Sequence, residues 1–211
     1  MKGFIGAGNI DTNSRLCMSS AVVGYKRAVG ADFVPCSYED LEQTDLVVLV
    51  GSNAAWAHPV LYQRLVKAKQ QLPNMKVVVI DPRRTATCDI ADLHLALRPG
   101  SDAALFVGLL NVLPPTEPNV FDGQPTALEI AANWTLEKTA DFCQLDSADV
   151  QTFWQWFAQA NRAMTLYTMG INQSSSGSDK CNAIINVHLA SGKIGRDGCG
   201  PFSLTGQPNA M

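Results

Sequence analysis

The chain has 211 residues, 16 Lys and Arg against 19 Asp and Glu for a formal net charge of −3, 46% apolar residues and a mean hydropathy of +0.02. With only 17% charged residues it has the composition of a chain that buries a core, which excludes disorder. No apolar run approaches the ~18 residues of a membrane span, and no Lys/Arg cluster offers a nucleic acid a footing.

Met1 to Gly6 show no long apolar stretch and no small-residue cleavage pattern, so no secretory leader is expected. Ser37 followed by Asp40 is a capping-box pattern that opens a short helix through Leu41. Asp45 to Val50 form a continuous apolar strand ending at Gly51-Ser52-Asn53. Trp56, Val60, Leu61, Leu65, Ala68 and Leu72 then make the stripe of an amphipathic helix. Pro59 fits only its first turn, so the helix starts near Ala57, and Pro73-Asn74 stop it. Lys76 to Ile80 read as a second buried strand ended by Asp81-Pro82, and Leu93 to Leu97 as a third. Strands apolar on both faces with a helix between them define a parallel βαβ unit, a Rossmann-like α/β sheet covered by helices.

A helix follows from Ala103 to Leu113. Residues 114–126 carry four prolines and a glycine and read as an exposed connection. Helices are expected at 127–143 and 147–161, a strand at 164–170 and a helix at 178–191. The tail 195–211 is rich in Gly, Pro and Ser, with no terminating element expected. Its wording reads as an ordered loop separated from what it packs against, which suggests a piece of a larger multidomain subunit. The expected organisation is an α/β region over 1–113, a connection over 114–126 and a second α/β region over 127–211.

The six cysteines include no C-x-x-C, and the three histidines are isolated, so no zinc spacing exists. Scattered cysteines without an export signal read as reduced thiols in a cytoplasm. His58 reads as a helix-start residue, His188 as core or surface, and the Trp154, Trp156 and Phe157 cluster as packing. Cys17 lies beside Arg15 at the start of a possible helix, where charge and dipole stabilise a thiolate; a buried inert thiol is the plainer alternative.

In an open parallel sheet, ligands bind beyond the carboxyl ends of the strands. Three polar loops belong there: Gly51-Ser52-Asn53, Asp81-Pro82-Arg83-Arg84-Thr85 and Pro99-Gly100-Ser101-Asp102. They offer a glycine for close approach, an acid of the kind that grips ribose and two guanidiniums for phosphate. The G-x-G-x-x-G fingerprint is absent, and each loop taken alone is also compatible with an ordinary strand end, turn or solvated arginine pair. A non-catalytic nucleotide-binding module is therefore one reading.

Taken in order, these segments resemble those of the bis-molybdopterin guanine dinucleotide oxidoreductases of the dimethyl sulfoxide reductase superfamily, and within it the assimilatory nitrate reductase catalytic subunits of prokaryotes. The stretch from Asn9 to Ser20 is similar to the one bearing the protein ligand to molybdenum, with Cys17 in the ligand position and Asn13 on a cofactor-contacting asparagine. Val50-Gly51-Ser52-Asn53 is similar to the loop holding one dinucleotide, and Asp81 to Thr85 and Gly100-Ser101-Asp102 to loops around its guanosine and phosphate. Met169 and Gln173 match positions facing the second dinucleotide. Gly200 to Pro208, with Gln207 as a contact, resembles a loop near the metal.

The resemblance implies reduction of nitrate to nitrite by oxygen-atom transfer at molybdenum, with Cys17, Met18 and Thr205 as the catalytic set. Met18 after Cys17, where formate dehydrogenases carry histidine, and Thr205, where they carry arginine, favour nitrate over formate; a formate dehydrogenase-type activity is the alternative. The resemblance also implies an iron–sulfur cluster in a preceding domain, the remainder of the same subunit as a partner and an electron donor protein or domain. An inactive isolated chain follows from those requirements.

Overall fold

The computed structural model describes residues 2–10, 17–114 and 123–204. Five strands form one sheet in the order β3-β2-β1-β4-β5, every neighbouring pair parallel. They are β1 (Leu46–Val50), β2 (Lys76–Ile80), β3 (Leu93–Leu95), β4 (Ala163–Tyr167) and β5 (Gly200–Ser203). The α/β parallel sheet expected from the apolar runs is borne out. Strands from both sides of residues 114–126 share the sheet, since Leu46 to Val50 pair with Lys76 to Ile80 on one side and with Ala163 to Tyr167 on the other.

The continuous apolar runs have a simple cause, because the sheet is covered on both faces. Leu46, Val48, Val50, Val78, Ile80 and Tyr167 face a core built with α2 (Ser19–Val29), α5 (Asp102–Val112), α8 (Ser147–Gln159) and α10 (Gly177–Ala190). Val47, Leu49, Val77, Val79 and Leu166 face the other way, against Leu65 and Ala68 of α4 (Pro59–Gln71) and against Leu41 and Cys88 of two 3-10 turns. A one-turn helix α1 (Lys2–Ile5) precedes Gly6-Ala7-Gly8.

Several expected boundaries shift for local reasons. The helix expected from Ala57 breaks at His58 into a one-turn α3 (Ala54–Ala57) and α4, which begins with Pro59, the residue that lacks the N–H a continuing helix needs. The helix expected at 127–143 is two helices, α6 (Gln124–Ala132) and α7 (Leu136–Cys143), because Thr135 caps the second by accepting the Lys138 N–H at 3.3 Å. α6 also starts inside the expected 114–126 connection, with Pro125 in its first turn. β3 ends at Leu95, two residues early, and β4 ends at Tyr167 because Met169–Asn172 turn as the one-turn helix α9.

The tail does contain a regular element. Gly200–Ser203 form β5, and a proline is tolerated there because the strand lies at the sheet edge. Tyr25 of α2 fixes it twice: its hydroxyl donates to the Pro201 carbonyl at 3.0 Å and accepts the Ser203 N–H at 3.1 Å.

Candidate functional site

The strand order reverses direction at β1, with β2 on one side and β4 on the other, and such a switch point opens a crevice at the carboxyl edge. Gly51 closes β1 with φ +53°, a left-handed conformation that favours glycine. A Cβ on Gly51 would lie 2.7 Å from the Gly170 Cα, and one on Gly170 would lie 2.6 Å from the Gly51 Cα. Two backbones therefore touch at the floor of the crevice. The Gly51 carbonyl accepts from the Thr168 hydroxyl at 2.6 Å and from the Gly170 N–H at 3.1 Å, while its N–H donates to Ile80 at 2.9 Å. Gly51 thus serves packing between the loops after β1 and β4 as well as any approach by a ligand.

Cys17 reaches this crevice. It stands two residues before α2, half-buried, and its Sγ lies 3.7 Å from Sδ of Met169, the first residue of α9. The sequence separation is 152 residues, so the fold brings a thiol and a thioether together beside Gly170. Met18 caps α2 with its carbonyl, which accepts the Ala21 N–H at 3.0 Å. Gln173 is exposed at the end of α9. Asn13, Thr205 and Gln207 lie outside the described residues.

The β1 and β2 loops are joined by a residue that sequence reasoning missed. The buried Thr87 donates to Asn53 Oδ1 at 3.1 Å and accepts the Ala55 N–H at 3.1 Å. Ser52, 1% exposed, has no hydrogen-bond partner for its hydroxyl, and Val50 is buried below it in the core. Asp81 is buried at the end of β2, where its carboxylate accepts the Arg83 N–H at 2.8 Å. Pro82, Arg83 and Arg84 are exposed, and the Thr85 hydroxyl caps the 3-10 turn Ala86–Ile90. The turn reading of Asp81-Pro82 and a solvent-facing arginine pair therefore hold together with a position on the ligand edge.

The third loop is more committed to structure. Gly100 takes φ +92°, and the buried Ser101 donates to the Arg98 carbonyl at 2.7 Å. Asp102 opens α5 and forms a buried ion pair at 2.5 Å with Lys180 of α10. Lys180 was legible in principle: it shares a helix face with Ile184, Val187 and His188, and a lysine on an apolar face requires a buried acid. His188 is wholly buried, hydrogen-bonded to the Lys193 carbonyl and the Thr165 hydroxyl, and burial pushes its pKa down to about 3. It is a core histidine, as expected.

Two features fit this edge to a sulfur-rich metal cofactor with nucleotide arms. Ser52 offers a buried hydroxyl in need of a partner, and Cys17 with Met169 offers soft sulfur. No cluster of three His, Cys, Asp or Glu exists among the described residues.

The family model described as "Molybdopterin oxidoreductase" matches residues 1–211, and the chain belongs to that family of molybdenum–pterin proteins. Among curated relatives it is 72% identical to a "Nitrate reductase" of Klebsiella oxytoca over its whole length, and 44% identical to a "Nitrate reductase" of a Synechocystis species. A "Periplasmic nitrate reductase" of Desulfovibrio desulfuricans is 40% identical over 99% of the chain. The chain spans 25% of the first of these proteins and 30% of the other two. Acetylene hydratase from Pelobacter acetylenicus shares the fold, with a TM-score of 0.71 at 23% identity over 89% of this chain and 26% of that one.

Proposed function

We propose that this chain is the part of a molybdenum-dependent nitrate reductase catalytic subunit that carries the protein ligand to the metal and one wall of a bis-molybdopterin guanine dinucleotide site. The observation that carries the reading is the half-buried Cys17 thiol, 3.7 Å from Met169 at the strand-reversal crevice. When bound, the molybdenum–pterin group supplies oxygen-atom transfer and two-electron chemistry. Cys17 donates a thiolate to the metal, suited to a sulfur-rich shell. Gly51, Ser52 and Asn53 hold one dinucleotide; Asp81 to Thr85, with Gly100, Ser101 and Asp102, meet its guanosine and phosphates. Met169 and Gln173 meet the second, Asn13 and Gln207 add contacts, and Met18 and Thr205 line the nitrate side.

An iron–sulfur centre and an electron-donor contact belong, in this reading, to the parts of the subunit beyond this chain, which spans 25% of the Klebsiella oxytoca relative. An assimilatory, cytoplasmic setting is supported by six cysteine thiols and the absence of any disulfide among the described residues. No helix among those residues is long and apolar enough to cross a membrane.

The test is metal and nucleotide analysis of the full-length subunit, with turnover on nitrate and on formate. Molybdenum with two guanine dinucleotides and nitrate turnover is the expected result; a plain nucleotide without metal, or formate turnover alone, rejects it. Cys17→Ala should lower nitrate turnover more than the roughly 10–100-fold typical of residues that only support a ligand. Turnover at the wild-type rate overturns the ligand assignment.

A further inference from the structure

Asn172 is nearly buried, at 5% exposure, and stands between α9 and α2. Its Oδ1 accepts the Ala21 N–H at 2.9 Å, a donor that it shares with the Met18 carbonyl at 3.0 Å. Its Nδ2 donates to the Thr168 carbonyl at 3.0 Å. One partner is a donor and the other an acceptor, so the side-chain amide has a single satisfied orientation. Its own carbonyl accepts the Ser20 hydroxyl at 2.6 Å. Gly177 makes room for this arrangement, since a Cβ there would lie 2.5 Å from the Ser20 Oγ and 2.8 Å from the Asn172 carbonyl oxygen.

Two of these bonds, from Ala21 and Ser20, join the first turn of α2, just after Cys17, to the loop that holds Met169, and the third, to Thr168, fixes the Asn172 side chain within that loop. The rest of α2 is placed by close packing, since an added Cβ on Gly24 would lie 2.7 Å from the Cys181 Cβ of α10, by the Asn182 amide donating to the Gly24 carbonyl at 3.0 Å and by the Tyr25 hydroxyl on β5. The first turn, which begins five residues before Gly24, has its own bonds to the Asn172 loop through Ser20 and Ala21. We propose that Asn172, assisted by Ser20, is a positioning residue that fixes the Cys17 thiol against Met169 at the crevice. This rests on the assignment of Cys17 as the metal ligand and names the element that aims it.

The primary readout needs no cofactor. Full-length subunit prepared without molybdenum is treated with iodoacetamide, and alkylation of each cysteine is followed by peptide mass spectrometry. Asn172→Ala should speed alkylation of Cys17 by about fivefold, the factor that loss of one net buried hydrogen bond brings, with Cys36 unchanged. Asn172→Asp, which keeps the acceptor for Ala21 but loses the donor to Thr168, should fall between. Ser20→Ala should give a smaller rise of about twofold, and it decides the matter if Asn172→Ala does not fold. In the loaded enzyme the same substitutions should alter the Mo(V) electron paramagnetic resonance spectrum and lower kcat while KM for nitrate holds. Wild-type alkylation of Cys17 in these variants overturns the proposal and leaves the remaining contacts of α2 to place the thiol. Wild-type nitrate turnover by Cys17→Ala would instead reject the ligand assignment, an outcome the alkylation rates do not mimic.

Discussion

The crevice between β1 and β4 and the loop after β2 lie on the same edge of one sheet and are built in opposite ways. In the crevice, Gly51 and Gly170 touch backbone to backbone and Thr168 bonds the Gly51 carbonyl. After β2, only Asp81 is buried, while Pro82, Arg83 and Arg84 stand in solvent. A metal donor must be held within about half an ångström of its productive position, which a crowded crevice provides. Phosphate recognition by guanidinium needs charge and a fork of donors, and tolerates a mobile side chain until the ligand arrives.

Substitutions can break this contrast at three strengths. The largest expected effect is at Lys180, where Ala strips the buried Asp102 carboxylate of its partner; urea unfolding should show a loss of about 3–5 kcal/mol. Pairing Lys180→Met with Asp102→Leu should recover most of it. Unchanged stability would instead mean that the ion pair does not hold α5 to α10 and that Asp102 serves the ligand alone. Next is Gly51→Ala, which combines overpacking against Gly170 with a left-handed backbone. Its expected destabilisation is about 2–4 kcal/mol, and full wild-type stability would show that the two loops can separate freely. The smallest structural effect belongs to the double variant Arg83→Ala, Arg84→Ala. Its stability should stay within about 0.5 kcal/mol of wild type, while retention of guanine dinucleotide falls severalfold. That deficit should shrink at high ionic strength; a salt-independent loss would mean that these side chains are ordered parts of the loop.

The inner strands were plain in the sequence because both their faces are buried. Val47-Val48-Leu49 and Val77-Val78-Val79 contain no polar residue whose facing had to be guessed. β5 was not legible, since Gly-Pro-Phe-Ser has the composition of a turn and becomes a strand only through pairing with β4 and the hydroxyl of Tyr25. The break at Asn133 to Thr135 hid within a helix-compatible run, where a single threonine cap decides the boundary. At the site, the loops were identified by their Gly, Asp and Arg content. The residues that tie loops together, Thr87 and Asn172, act through partners 34 and 151 residues away. No local pattern reports such a partner.

The pairing of β1 with β4 also dictates an order of assembly. Asp45, beside β1, bonds to Arg162 at the start of β4 across 117 residues, so translation at about 5–20 residues per second separates the two by many seconds. During that interval the nascent chain displays one bare edge of a Val-rich ribbon, the edge that β4 later covers. The crevice is consequently a late product of biosynthesis, and until β4 arrives the open strand edge is a surface on which neighbouring chains can pair.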